Sequence, residues 1–218
     1  MRKGDFVWIL ALATLAAGLM APPTHRAFVL ATASHPFLVG FAKFCVLATM
    51  GELMALRIVS GTWKAPAGLL QRAAIWGLLG MAIVLVFEVF GAGVAGVLRK
   101  GLLPGDGSRL AFAFLVSAIM NLTFAPVMML THRMTDTFLD LRAETGGAVA
   151  LAAVVGRIDW NGFVSFVLFR TIPLFWIPAH TITFLLPPEY RVLAAAVLSI
   201  ALGAILAFAK RKPRAVAA

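Results

Sequence analysis

Residues 73–98 read AAIWGLLGMAIVLVFEVFGAGVAGVL, and Glu88 is the one ionisable side chain among them. A helix of ~20 apolar residues crosses a hydrocarbon core about 30 Å thick. Lipid supplies no water to the backbone N–H and C=O groups, so a segment of this kind must bond its backbone internally. The run is therefore predicted to be a transmembrane α-helix.

Five further apolar runs surround this one. They are Phe6–Ala21, Phe37–Leu56, Leu110–Leu130, Phe163–Leu186 and Val192–Ala209. Hydrophobic residues make up 61% of the 218-residue chain and charged residues 13%, whereas soluble domains carry about 25% charged residues. A single cysteine, Cys45, excludes an intramolecular disulfide scaffold. The sequence therefore predicts an all-α, multi-pass transmembrane helix bundle of about six spans.

The first run admits a second interpretation, a secretory signal peptide with Arg2 and Lys3 as its basic region. Its end, Leu19-Met20-Ala21, is a poor cleavage site, and Pro22-Pro23 follow directly. An uncleaved span is therefore the favoured interpretation. The chain shows no Arg- and Ser-rich transit peptide, which favours a bacterial cytoplasmic membrane, with the mitochondrial inner membrane as the alternative.

The charge distribution predicts an orientation. The chain has 19 basic and 9 acidic residues, and the loops of a six-span bundle hold twelve basic residues on one side and five on the other. The positive-inside rule places the richer side, with both termini, in the cytoplasm. The basic tail is assigned to anionic lipid head groups rather than to nucleic acid, because it follows a span directly. Its basic residues are Lys210, Arg211, Lys212 and Arg214.

The longest connection between spans is Thr131–Trp160. Its first half alternates charged residues with Met134, Phe138 and Leu141 at helical spacing, which predicts a short amphipathic helix at the membrane interface. The apolar stretch at residues 148–155 is too short to span and is expected to re-enter the membrane or pack on the bundle. Asp159 is the predicted N-cap of the fifth span.

The stretch GAGVAG at residues 91–96 fits the GxGxxG pattern of dinucleotide sites, but it lies within a span rather than between a strand and a helix. Gly91, Gly93 and Gly96 are instead predicted to be helix-packing residues, because small residues let two helices approach closely. A homo-oligomer is compatible with this pattern. The sequence holds no metal-binding motif and no nucleophile motif, so neither a metal, a cofactor nor enzymatic chemistry is expected.

Five ionisable side chains fall inside the predicted spans. They are Lys43, Glu52, Glu88, Arg170 and His180. A charge at the bilayer centre costs roughly 2.5–3.5 kcal/mol on insertion scales, so such groups usually face a partner or a wet cavity. Glu52 and Arg170 lie at similar depth in the second and fifth spans, which predicts a pair between them. Glu88 is predicted to face the bundle interior, and Lys43 has the alternative of extending outward to the head groups.

The fifth span contains prolines within its apolar run. Pro173 and Pro178 each remove a helix hydrogen bond, and Pro187-Pro188 end the run. Free carbonyl groups at membrane depth are tolerated only against protein or a water-filled cavity. This arrangement is typical of transporter binding sites, and a kinked packing helix fits the pattern equally well.

A series of residues around the fifth span forms a recognisable signature. They are Trp176, Pro178, Phe184, Pro188 and Arg191. In this respect the chain resembles the Mpv-seventeen family of small mitochondrial inner-membrane and peroxisomal membrane proteins, although His180 and Thr183 stand where that family has Gln and Asn. Further upstream, Gly51-Glu52 resembles the family's Gly-Asp. The segment Phe124-Ala125-Pro126 is similar to its Phe-Ala-Pro.

The resemblance divides the chain into an additional span and loop at residues 1–34 and a family-like bundle at residues 35–218. It implies an integral membrane protein associated with channel activity, whose solutes are not defined. The first functional hypothesis is therefore a small-solute channel or transporter, lined by Glu52, Glu88, Arg170 and His180. The second is a structural or assembly protein whose buried charges fix helix packing. A remote third is an intramembrane enzyme acting on lipid, with Glu88 or His180 as its acid or base.

Overall fold

The computed structural model describes residues 2–210, which form eight helices. The helices are α1 (Lys3–Met20), α2 (Pro22–Ser34), α3 (Pro36–Ser60), α4 (Leu69–Arg99), α5 (Arg109–Thr145), α6 (Leu151–Arg157), α7 (Trp160–Leu185) and α8 (Pro188–Lys210). Six of them, α1, α3, α4, α5, α7 and α8, are long and apolar enough to cross a membrane. The predicted all-α, multi-pass bundle is confirmed. The basic tail assigned to lipid head groups begins at Lys210 and otherwise lies outside the described residues.

Proline and glycine define several helix ends. Pro22 and Pro36 occupy the first turn of α2 and α3, where a missing N–H breaks no intrahelical bond. Gly61 and Gly146 follow α3 and α5 with φ values of 71° and 69°, a left-handed conformation that ends a helix and that a Cβ atom disfavours. The side chain of Asp159 accepts a hydrogen bond from a backbone N–H in the first turn of α7, at 2.9 Å, which confirms the predicted cap.

The centre of the bundle is α3, which packs between α4 and α8, while α5 packs against α4 and α7. Two glycines permit the close approach of α3 to its neighbours. A Cβ atom added to Gly80 would lie 2.6 Å from the carbonyl oxygen of Gly40, and one added to Gly51 would lie 3.0 Å from Cα of Ile200. Small residues at these crossings let the backbones approach closely and strengthen their van der Waals packing. Such packing matters in lipid, where the hydrophobic effect does not drive helices to associate.

The glycines predicted to pack helices do not do so within the described chain. A Cβ atom added to Gly91, Gly93 or Gly96 would meet no atom within 4 Å. The reason is their position along α4. Gly40 of α3 crosses α4 at Gly80, and α3 begins only one turn before Gly40. The end of α4 therefore extends past the start of α3.

The helix α5 extends over 37 residues without a break, although its apolar run ends at Leu130. The separate amphipathic helix predicted within Thr131–Trp160 is therefore the last part of α5, and the seven-residue α6 occupies the rest of that connection. Residues 131–145 contain neither proline nor glycine, so no residue ends the helix before Gly146. Residues 131–145 therefore place several polar side chains of α5 next to other helices of the bundle.

The helix α7 continues through both prolines that were predicted to interrupt it. Over Phe163–Trp176 it is wound as a π-helix, and the N–H of Ile177 bonds the carbonyl of Ile172. The carbonyl of Ile177 accepts hydrogen bonds from the hydroxyls of Ser117 and Thr181, each at 2.7 Å. Backbone groups at membrane depth are thus bonded by hydroxyl side chains of the protein.

Candidate functional site

A cavity of about 290 Å³ lies between α3, α4, α5, α7 and α8. Its wall is mainly apolar and includes six phenylalanine or tryptophan side chains and three methionines. These are Phe44, Trp76, Phe87, Phe124, Phe163, Trp176, Met120, Met128 and Met129. Two polar groups interrupt this wall, a charged group around Glu52 and Asp136 and an uncharged group around Asn121 and His180.

The charged group is organised by Arg72, which lies in the first turn of α4 and is 4% exposed. Its guanidinium nitrogens lie 3.1 Å from a carboxylate oxygen of Glu52, 2.8 Å from one of Asp136 and 2.6 Å from one of Asp140. The Nε–H of Arg72 also donates to the carbonyl of Ala67 at 3.0 Å. One guanidinium thus joins α3, α4 and α5 at the same end of the bundle.

Two aromatic side chains complete this group. The Nε1–H of Trp76 donates to Oε2 of Glu52 at 3.3 Å. The ring of His132 lies against the indole of Trp76, with ring centroids 4.1 Å apart. Nδ1 of His132 lies 3.5 Å from Oδ2 of Asp136. Trp76, His132, Glu52 and Asp136 all line the cavity, so these polar contacts form part of its wall.

The uncharged group pairs α5 with α7. Nδ1 of His180 lies 3.0 Å from Nδ2 and 3.2 Å from Oδ1 of Asn121. The amide of Asn121 also donates to the carbonyl of Ser117 at 2.8 Å. The ring of His180 stacks on Trp176, with centroids 5.0 Å apart, and meets the edge of Phe87. Ser117, Asn121 and His180 each have a hydrogen-bond partner, which limits the cost of placing these polar side chains within the bundle.

The predicted pair between Glu52 and Arg170 is wrong. Glu52 bonds Arg72 and Trp76, whereas the side chain of Arg170 is exposed on the outside of the bundle. The pair was predicted from a similar depth in the spans, but the helices of the two residues do not pack against each other. The helix α3 packs against α4 and α8, while α7 packs mainly on α5.

Of the five ionisable side chains predicted at membrane depth, Glu52 and His180 line the cavity and the other three do not. Glu88 was predicted to face the bundle interior and is instead exposed. Its neighbour Phe87 takes the inward position and is 6% exposed. Since successive helical residues are rotated by about 100°, burying Phe87 turns Glu88 outward.

Lys43 is buried away from the cavity. Its ammonium group donates to Oγ1 of Thr32 at 3.2 Å and lies 4.6 Å from the ring centroid of Phe28. Both partners belong to α2, so Lys43 joins α2 to α3. Its side chain is 7% exposed and therefore does not take the outward path that was the alternative.

Six residues of the site were not among the predicted ones. They are Arg72, Trp76, Asn121, His132, Asp136 and Asp140. Arg72 precedes an apolar run and Asp136 follows one, so both count as loop charges when spans are drawn from hydropathy alone. A usable signal was present. His132, Asp136 and Asp140 recur every four residues, which puts them on one face if the helix continues past the apolar run.

The family-motif residues are divided between the cavity and the packing around it. Gly51, Phe124, Ala125 and Trp176 line the cavity. The others are Pro126 within α5, Pro178 within α7, Pro188 at the start of α8, the buried Thr183 and Phe184, and Arg191, which donates to the carbonyl of Leu186. Comparison of the chain with protein families, with curated proteins and with solved structures finds no match.

Proposed function

We propose that this integral membrane protein is a small-solute channel or transporter, and that its solute binds in or passes through the cavity between α3, α4, α5, α7 and α8. The observation that carries the proposal is the cavity itself, about 290 Å³ of space with Glu52, Asn121 and His180 in its wall. Polar and ionisable side chains within spans usually mark solute pathways, because their burial is costly.

The size and the wall of the cavity favour a small solute. Small-molecule sites are mostly apolar concavities of about 300–1,000 Å³ with a few polar groups, and this cavity lies at the lower limit. The π-wound part of α7 contributes Phe163, Val167 and Thr171 to the wall, and π segments are frequent at functional sites. Arg133 is exposed and also lines the cavity, so the cavity reaches the surface at its charged end.

The proposed setting is a bacterial cytoplasmic membrane, with the mitochondrial inner membrane as the second choice. Six spans bring both termini to one side of the bilayer, and the excess of basic residues favours the cytoplasmic side. The resemblance to the Mpv-seventeen family supports the same function. Among the residues that carry it, Gly51, Phe124, Ala125 and Trp176 belong to the cavity wall.

A second candidate function, a structural or assembly role, is favoured by the network around Arg72. Its three carboxylate partners come from two other helices and fix how α3, α4 and α5 pack. Buried ionic groups can specify registry rather than activity. A lipid-modifying enzyme has less support, because Glu88 is exposed and does not line the cavity with His180. The proposal therefore includes no catalytic step.

Solute flux into proteoliposomes distinguishes transport from a structural role. Purified full-length protein is reconstituted, and uptake of a panel of small ions and metabolites is measured against protein-free liposomes. The variant Val167→Trp places a large ring on the cavity wall. Its matched control is Val164→Trp, three residues earlier on α7, where the residue is 40% exposed outside the bundle.

We expect the wild type and Val164→Trp to carry at least one solute, and Val167→Trp to carry it much more slowly, because an added ring fills part of the cavity. Circular dichroism and gel filtration verify that all three proteins keep the helical fold. Absence of flux for every solute, or equal flux through Val167→Trp and the wild type, would favour the structural role.

A further inference from the structure

The charged end of the cavity has an excess of negative charge. Glu52, Asp136 and Asp140 supply three carboxylates, whereas Arg72 and Arg133 supply two guanidinium groups. Arg72 is enclosed by its partners and does not line the cavity, while Glu52 and Asp136 do. A solute in the cavity therefore meets carboxylate oxygens in its wall. Arg133 also lines the cavity, so the wall holds two carboxylates and one guanidinium, and a wall with net negative charge attracts cations.

The rest of the wall suits an organic cation. Six aromatic side chains line the cavity, and they are Phe44, Trp76, Phe87, Phe124, Phe163 and Trp176. The face of an aromatic ring attracts a cation, and the attraction grows when the site is shielded from water. Three methionines, Met120, Met128 and Met129, add flexible and polarisable surface that adapts to different shapes. Neither kind of side chain offers a charge-assisted bond to an anion.

Two buried nitrogens of the wall residues have no hydrogen-bond partner among residues 2–210. They are Nε2 of His132 and Nε1 of Trp176. Buried polar atoms are rarely left unpaired. Both residues line the cavity, so these nitrogens are available to water or to a polar group of a solute.

We infer that the solute class is a small organic monocation, such as a quaternary ammonium or a protonated amine with an apolar body, held between Glu52, Asp136 and the aromatic wall. The inference rests on the proposed function and names its solute. A bare metal ion fits less well. In the described part of the chain, no group of three His, Cys, Asp or Glu side chains is placed to bind one, and an apolar wall cannot replace its hydration shell.

Three probes of similar shape test the sign of the charge. They are phenyltrimethylammonium, a cation; tert-butylbenzene, a neutral isostere; and benzenesulfonate, an anion. Binding to the full chain in lipid nanodiscs is measured by equilibrium dialysis, with empty nanodiscs as the correction for partition into lipid. We expect the cation to bind at least about tenfold more tightly than either of the other probes. A cation shielded from water gains this much from an aromatic face and a carboxylate.

Matched variants locate the binding. Glu52→Gln keeps the shape of the side chain and removes its charge. It is therefore expected to weaken binding of the cation about tenfold and to leave the affinity for tert-butylbenzene unchanged. Glu88→Gln is the control, because Glu88 is exposed and outside the cavity wall. If Glu52→Gln does not fold, Phe124→Leu removes one aromatic face of the wall, and Phe114→Leu, on an exposed face of α5, is its control.

The outcomes separate this inference from the proposed function. Benzenesulfonate binding as tightly as the cation, or Glu52→Gln and Phe124→Leu both binding the cation like their controls, would overturn the inference. If proteoliposomes show solute flux but dialysis shows no preference for the cation, the inference is overturned and the transport function stands. Specific binding of the cation without flux of any solute would support the inference and overturn transport.

Discussion

Replacing Arg72 with methionine is expected to destabilise the bundle by about 3 kcal/mol, because breaking a buried ion pair from one side costs about 3–5 kcal/mol. The guanidinium lies within 3.1 Å of Glu52 and at shorter distances from Asp136 and Asp140. The side chain of Asp140 is 58% exposed and stays hydrated without its partner. The loss therefore comes from Glu52 and Asp136, whose side chains are 17% and 19% exposed, which favours the lower end of the range.

The free energy of unfolding is measured by titrating SDS into dodecyl maltoside micelles and following far-UV circular dichroism. Arg99→Met, at the exposed far end of the same helix, is the control and is expected to change stability by no more than about 0.5 kcal/mol. Adding Glu52→Gln to Arg72→Met is expected to recover part of the loss, because one uncompensated carboxylate is removed. Equal stability of the two arginine variants, or no recovery in the double variant, would refute a buried ionic network at this end.

Two further substitutions test other contacts by the same titration. Asn121→Ala is expected to cost about 1–3 kcal/mol, because the buried ring of His180 loses its partner; the exposed Asn161→Ala is its control, and an equal loss in both would contradict the pairing. Gly80→Ala is expected to cost about 1–3 kcal/mol through overpacking, because its Cβ atom would lie 2.6 Å from the backbone of α3. Gly93→Ala is expected to be neutral or stabilising, because the added Cβ atom meets no atom within 4 Å. Similar changes at the two glycines would contradict the close crossing of α3 and α4.

The spans could be predicted from the sequence because length and hydropathy are properties of a single helix. Each of the six apolar runs lies mostly or wholly within one of the six helices that are able to cross a membrane. The cap at Asp159 was predictable for the same reason, since it depends on one turn of local sequence. Local rules also explain what was missed in α5, where the end of the apolar run was taken as the end of the helix.

The partners of the buried charges could not be predicted, because they depend on which face of each helix meets its neighbours. The helix α4 is apolar on nearly all sides, so hydropathy gives no direction for Glu88, and packing of Phe87 against the core turned it outward. Glu52 was assigned by depth to Arg170, while its true partner Arg72 lay outside the apolar run. The candidates that reach the cavity, Glu52 and His180, are hydrogen-bonded to neighbouring helices. Lys43 is bonded in the same way, but to α2 and away from the cavity.

The presence of a water-accessible cavity inside the bundle is tested most directly by cysteine modification at Ser199, which lines the cavity on α8. In a Cys45→Ala background, Ser199→Cys is treated with a membrane-impermeant methanethiosulfonate reagent carrying a trimethylammonium group, and Val197→Cys serves as the control. Val197 is 46% exposed on the outer face of the same span. The thiolate is the reacting form and does not form in hydrocarbon. Rapid modification at position 199 and little at position 197 is the expected result; modification no faster at 199 than at 197 would contradict a solute cavity in this protein.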